Sequence, residues 1–239
     1  MNKTALIVGG SGGIGSCLVQ QFYEAGYQVI FTYHKNKEAA RMLENQYGAV
    51  PYQLDPTHEE SVEKIKVYLA SNYSSLNAFV YAAGIFEDAL VDNMELSSWN
   101  QVLSVNLTGA FLTTRYLLPL LRKSGNGRIL YIGSVMGDAG CYGSCGYSAA
   151  KAGLIALAKS VALENAKKNV TANVLSYGYI DAGMTAQVSE NILDSAIRKI
   201  PMKRLGNASD AAKIAVDLCA EHMNYVSGQV VRVNGALYV

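Results

Sequence analysis

Three residues between positions 134 and 151 have the types and spacing for proton transfer: Ser134, Tyr147 and Lys151. Tyr147 and Lys151 stand four apart in YSAAKAGLIALAKSVALENAKK, which reads as a long amphipathic helix, so both side chains fall on one face. A lysine ammonium beside a phenol favours the phenolate and is expected to lower the tyrosine pKa from about 10 toward the working pH. A phenol tuned in this way gives a proton to a developing alkoxide or takes one from an alcohol. Ser134 ends the strand-like run GRILYIGS, where its hydroxyl can hold the same oxygen. The chain has 16 tyrosines, enough for about one Tyr-x-x-x-Lys pair by chance, and Tyr33 with Lys37 makes a second one. Context has to separate them.

The elements that position these residues follow from the hydrophobic pattern. Short β-branched runs at 4–8, 27–33, 49–54, 77–83, 128–134, 170–176 and 228–233 alternate with helical stretches. That alternation predicts repeated βαβ units, hence an α/β fold with a Rossmann-type doubly wound parallel sheet of about seven strands. Half the residues are hydrophobic and 16% are charged, which suits a sheet covered on both faces. With four prolines and no polar linker, residues 1–239 read as one domain. The insertion near 182–207 is expected to form a lid over a site.

Composition excludes several classes. A net charge of +1 offers no footprint for nucleic acid. No apolar run is long enough to span a bilayer, and MNKTALIVGG lacks a signal peptide's long apolar core, so the expected compartment is the cytoplasm. Cys17, Cys141, Cys145 and Cys219 are scattered. Cys141 and Cys145 have no second ligand pair, so reduced thiols are expected and no metal.

A glycine loop follows the first strand: Gly9, Gly10, Ser11, Gly12, Gly13, Ile14 and Gly15. Its glycines permit a tight turn and close backbone approach, and the helix that follows points its N-terminus at a pyrophosphate. The second strand ends at Tyr33, His34 and Lys35, with no carboxylate to accept from the ribose hydroxyls of NAD. Two potentially basic groups there favour a 2′-phosphate, and so NADPH over NADH. Asp55, after the third strand, is placed to receive an adenine amino group or to cap the next helix. The small residues Ala82, Ala83 and Gly84 end the fourth strand and let backbone approach a ligand.

Together these motifs resemble the short-chain dehydrogenase/reductase family over nearly the whole chain. The match rests on VGGSGGIG at 8–15, LDPT at 54–57, YAAG at 81–84, SVNLTG at 104–109, and Ser134, Tyr147 and Lys151 at spacings of thirteen and four. Gln20 stands thirteen before Tyr33, so the chance pair fails this pattern. Within the family the chain looks most like the 3-oxoacyl-(acyl-carrier-protein) reductases, through YSAAKAGLIALAKSVA, IPMKRLG and YVSGQVVRVNGALYV.

The resemblance implies roles. Tyr147 would donate the proton, Lys151 would depress its pKa and hold the nicotinamide ribose, and Ser134 would orient the substrate carbonyl. Asn106 would complete the set by anchoring a water in the proton relay. Gly178 and Ile180 would meet the nicotinamide end. Met136, Cys141, Tyr142, Tyr177 and Tyr179 would wall the substrate. An acyl carrier protein would land on Arg122, Lys123 and Lys168, and the helices bearing Asn106 and Tyr147 would pair into a homotetramer. Val8, Ala82, Tyr177 and Ala182 depart from the family pattern, and they touch the loop and the nicotinamide end but none of the four catalytic positions. A reductase of the same family acting on another ketone, such as a polyketide intermediate, and a dinucleotide-sensing protein without turnover remain as alternatives.

Overall fold

The computed structural model describes residues 3–239, without the side chains of Ala186 and Gln187. In chain order the elements are β1 (Thr4–Val8), α1 (Gly13–Glu24), β2 (Gln28–Tyr33), α2 (Lys37–Tyr47), β3 (Val50–Gln53), α3 (Glu59–Asn72), β4 (Ala78–Tyr81) and α4 (Leu96–Leu103). A π-helical segment, Ser104–Thr108, leads into α5 (Gly109–Lys123), followed by β5 (Gly127–Ser134), α6 (Val135–Ala139) and α7 (Cys145–Asn165). The chain ends with β6 (Val170–Tyr177), α8 (Glu190–Lys199), α9 (Ala208–Leu218) and β7 (Val230–Val233).

All seven strands pair in parallel in the order β3-β2-β1-β4-β5-β6-β7, the expected Rossmann-type doubly wound sheet. Period-two alternation divides each central strand between two cores. Ala5, Ile7, Val29, Phe31, Val80, Leu130 and Leu175 face the side covered by α1 and α9. Leu6, Val8, Ile30, Phe79, Tyr81, Ile129 and Val174 face α3, α5 and α7. Register keeps each layer continuous: Leu6 stands beside Ile30 and Phe79, and Phe79 beside Ile129. Strands apolar on both faces can sit only inside such a three-layer stack.

The winding reverses between β1 and β4, which are neighbours although two strands separate them in sequence. A crevice opens at such a switch point, at the carboxyl ends of the strands. The glycine loop leaves β1 there, and Ala82–Gly84 leave β4 beside it.

The segment that carries Asn106 is not one continuous α-helix: five π-helical residues stand between α4 and α5. The wider turn carries Asn106 inward with no exposed surface, and its amide bonds secure the bulge. The insertion near 182–207 folds into a short 3-10 turn, Gly183–Gln187, and α8. Its inner face is Ala196 and Ile200, both buried, and residue 206 returns to bridge Ile180.

Candidate active site

The glycine loop is shaped by contacts that exclude side chains. Gly9 has φ 84°, and a Cβ there would lie 2.6 Å from the Ala83 nitrogen. A Cβ on Gly15 would run into the Gly9 carbonyl, and one on Gly13 into the backbone of Gly183. The loop therefore touches both the end of β4 and the start of the insertion. Gly12 caps α1 with no side-chain hydrogen bond, leaving N–H groups of the first turn for an anionic ligand. Ser11 and Ile14 are half-buried, and Ile14 packs on the core, which fixes the pitch of that turn. The loop is tied to β2 as well: the Gly9 N–H donates to Thr32 Oγ1 at 3.1 Å. This cradle fits a dinucleotide pyrophosphate.

At the adenosine end, Tyr33 packs against the core and its carbonyl accepts from Leu54 N–H at 2.9 Å. His34 and Lys35 are exposed beyond it. Asp55 accepts from the Thr57 hydroxyl at 2.6 Å and the Thr57 N–H at 2.9 Å, so it does close the turn before α3. Its Oδ2 also lies 3.5 Å from His34 Nε2 and 3.1 Å from His58 Nδ1. Burial pushes this carboxyl up, but the Thr57 hydrogen bonds and the two imidazoles outweigh it and hold it below the ordinary range. The carboxylate thus ties His34 to the adenine side of the crevice.

The four proposed catalytic residues converge at the ends of β4 and β5. Ser134 is the last residue of β5, and its Oγ accepts from Met136 N–H at 3.2 Å and lies near enough to Tyr147 to lower its hydroxyl's pKa. Tyr147 lies near the start of α7, 9% exposed, with Phe86 edge-on at 5.4 Å. Lys151, one turn on, donates to the Ile132 carbonyl at 2.7 Å and stands 5.3 Å over the Tyr147 ring. Asn106 donates to the Ile85 and Val102 carbonyls, both at 2.9 Å, and accepts from Ile85 N–H at 3.2 Å. Gly84 makes this convergence possible, since a Cβ there would lie 2.5 Å from Asn106 Oδ1 and 3.7 Å from Lys151 Nζ.

The expectation of a depressed tyrosine pKa is overturned. Burial pushes the Tyr147 hydroxyl up to about 12, against a smaller opposing effect of its hydrogen bond with Ser134. Burial likewise brings the Lys151 ammonium down to about 8. Each charged form loses its hydration on burial, which raises the phenol and lowers the amine.

The expected substrate wall divides. Met136 packs against the cluster that holds Tyr147, and burial pushes the Tyr179 hydroxyl up. Cys141 and Tyr142 border a hollow of about 480 Å³ with Leu90 and Val91, and Tyr142 is 87% exposed. Tyr177 is a correction. It is 3% exposed in the core under α9, its hydroxyl donating to the Ala211 carbonyl at 2.9 Å, because alternation along β6 places it with Leu175 on the face that α1 and α9 cover. Gly178 packs on Asn234, with its N–H on the Val233 carbonyl, and Ile180 is buried.

Arg122 directs its Nε and Nη2 at Asn165 Oδ1, at 2.9 and 2.7 Å, joining the ends of α5 and α7. Lys123 ends α5 and Lys168 follows α7. These helix ends lie at the amino ends of β5 and β6, about 27 Å from Tyr147 along α7 at 1.5 Å per residue.

Thr32, Ile85 and Phe86 belong to the site but carry no local signal in the sequence. Only the register of β2 beside β1, and the loop after β4, bring them in.

A family model described as enoyl-(acyl carrier protein) reductase matches residues 9–237. The chain belongs to the short-chain dehydrogenase/reductase family. It is 36% identical over 241 residues to a 3-oxoacyl-[acyl-carrier-protein] reductase of Aquifex aeolicus, covering 99% of this chain and 97% of the relative. It is 33% identical over 240 residues to the reductase of the same name from Buchnera aphidicola, covering 99% and 98%. An acetoacetyl-CoA reductase of Rhizobium meliloti is 34% identical over 239 residues, covering 100% and 99%. As a member of this family the chain is an NAD(P)H-dependent oxidoreductase.

Proposed function

We propose that this reductase converts a 3-oxoacyl thioester to the 3-hydroxyacyl form with NADPH, and that Tyr147 donates the proton. The observation that carries the reading is the convergence of Ser134, Tyr147 and Lys151 on one spot, with Lys151 5.3 Å over the ring of the buried Tyr147. A phenol at that spot is placed to give a proton in the reductive direction. The reduced nicotinamide supplies the hydride.

Gly9, Ser11, Gly12, Gly13, Ile14 and Gly15 would hold the pyrophosphate, and His34 and Lys35 the 2′-phosphate. Asp55, Ala82, Ala83 and Gly84 would border the adenosine, with Gly178 and Ile180 at the nicotinamide. Ser134 donates to the ketone oxygen and fixes its position. Tyr147 passes its proton to that oxygen as negative charge develops there. Lys151 offsets the charge left on the phenolate, a contribution from a group already in place. Both amide protons of Asn106 are occupied, so any relay water it holds must bind to one of its oxygens.

Relatives named for carrier-bound and for CoA-bound substrates both match this chain. A carrier-bound substrate fits the reductase relatives, and Lys123 and Lys168 at the ends of α5 and α7 are the proposed landing patch, with Arg122 engaged by Asn165. The exposed Leu96, Phe111 and Leu163 on α4, α5 and α7 support pairing of those helices into a homotetramer.

The test is oxidation of NADPH and NADH, in parallel, with a short 3-oxoacyl thioester and with Tyr147→Phe beside the wild type. NADPH-linked turnover that falls by about 10²–10⁴ in the variant, with cofactor affinity unchanged, is the expected result. Cofactor binding without turnover of any 3-oxoacyl thioester would overturn the substrate assignment.

A further inference from the structure

Ser134 sits at the junction of β5 and a helix only five residues long, α6, and caps it through the Met136 N–H. A single turn of this length is marginal without outside support. Two contacts supply it. Gly137 presses on α7 at Lys151, where a Cβ would lie 2.8 Å from the Lys151 carbonyl carbon. Asp138, one turn after Ser134, turns its carboxylate inward until the side chain is 8% exposed.

That carboxylate is held at both oxygens. Oδ1 accepts from Arg232 Nη2 at 2.9 Å, and Oδ2 accepts from the Ser176 hydroxyl at 3.2 Å. The two partners are neighbours in register on β7 and β6, and Ser176 is in turn the register partner of Gly133, next to Ser134. The chain therefore leaves β5 at Ser134, makes one turn, and is clamped back across β6 and β7. Arg232 also stacks over the Tyr238 ring at 5.9 Å, which fixes its guanidinium from the other side. A buried carboxylate is tolerated because it is paired and hydrogen-bonded, so removing a partner must rearrange α6.

We propose that Asp138, through Arg232, is a positioning residue that sets the place of the Ser134 hydroxyl against Tyr147. The inference rests on the role given above to Ser134. Asp138 touches neither Tyr147 nor a substrate; it acts through the turn that Ser134 caps. Arg232 is the exposed half of the clamp, at 38% side-chain exposure, and is the safer position for substitution.

The experiment compares the wild type, Ser134→Ala, Asp138→Asn, Arg232→Gln, Arg232→Lys and the double variant Ser134→Ala/Asp138→Asn. Each is assayed for kcat and KM with a short 3-oxoacyl thioester, and for NADPH affinity by fluorescence quenching. Asp138→Asn and Arg232→Gln are expected to lower kcat by about tenfold or more, since small displacements of an orienting group are expensive in rate. Cofactor affinity stays within about twofold, because the clamp lies outside the glycine loop, and Arg232→Lys, which keeps the charge but loses the planar fork stacked on Tyr238, recovers part of kcat above Arg232→Gln. In the Ser134→Ala background, Asp138→Asn adds no further loss, as expected for residues acting as one unit. Wild-type kcat in both Asp138→Asn and Arg232→Gln overturns the proposal, and so does an undiminished loss in the Ser134→Ala background. Should Asp138→Asn not fold, Arg232→Gln alone and combined with Ser134→Ala decides by the same criteria. Wild-type turnover in Ser134→Ala is a separate outcome: it removes the role of Ser134 and, with it, the premise of the clamp.

Discussion

Lys151 meets Tyr147 at the face of the ring, with its ammonium 5.3 Å from the ring centroid and its own hydrogen bond given to Ile132. Burial holds this amine near 8, against 10.5 for a free lysine. In the unfolded chain the amine keeps its proton to about pH 10.5, so between the two values the unfolded state binds more protons. Stability from this residue therefore rises with pH across that window. Tyr147 acts in the opposite sense, but only above about pH 10, where the unfolded phenol ionises and the buried one does not.

The prediction is a stability difference that depends on pH. Denaturant unfolding of wild type and Lys151→Met should be compared at about pH 7 and about pH 9.5. The difference moves toward the wild type by roughly 2 kcal/mol over that interval, from a folded pKa near 8. A difference that stays constant would show that Lys151 does not titrate in this window.

Much of this arrangement is legible in the sequence for a physical reason. Strands buried on both faces leave long apolar runs, and a helix face fixes Tyr147 over Lys151, so the sheet, the glycine loop and the catalytic spacing all have local signatures. The ionisation of the pair does not. Its sign depends on how much water remains around Tyr147, and that is set by Phe86, Val102, Ala150 and Met136, which lie far apart in the chain. Tyr177 fails for a related reason: neighbouring strand residues point to opposite faces, so proximity in sequence to Gly178 says nothing about which face its ring joins. Asp138 has no sequence signal at all, because its partners come from two later strands.

The proposed preference for NADPH rests on the end of β2. His34 and Lys35 are exposed there, and His34 is bracketed by Asp55. A carboxylate at this point accepts from the ribose hydroxyls and repels a phosphate ester. His34→Asp is therefore expected to weaken NADPH binding by about tenfold or more while leaving NADH binding the same or tighter. Fluorescence titration with each cofactor measures both arms. An equal loss for both cofactors would place the effect on loop folding instead of the 2′-phosphate.

The neighbouring glycines Gly12 and Gly13 should respond unequally to the same change. A Cβ on Gly12 would lie 3.3 Å from the Gly9 carbonyl, a contact a small adjustment relieves. A Cβ on Gly13 meets the Gly183 backbone, which cannot swing aside as a side chain would. Gly183 has φ 62° and opens the insertion that carries α8, so the strain passes from the cofactor loop to the segment beyond it. Gly12→Ala is expected to raise the dissociation constant for NADPH by a few-fold, the scale of replacing a glycine cap by alanine. Gly13→Ala is expected to raise it by about tenfold or more and to raise KM for the thioester as well, at overpacking costs of about 1–3 kcal/mol. Isothermal titration with NADPH and initial-rate kinetics on the two variants give both quantities. Equal effects of the two substitutions would mean that the loop and the insertion are not in contact when the cofactor binds.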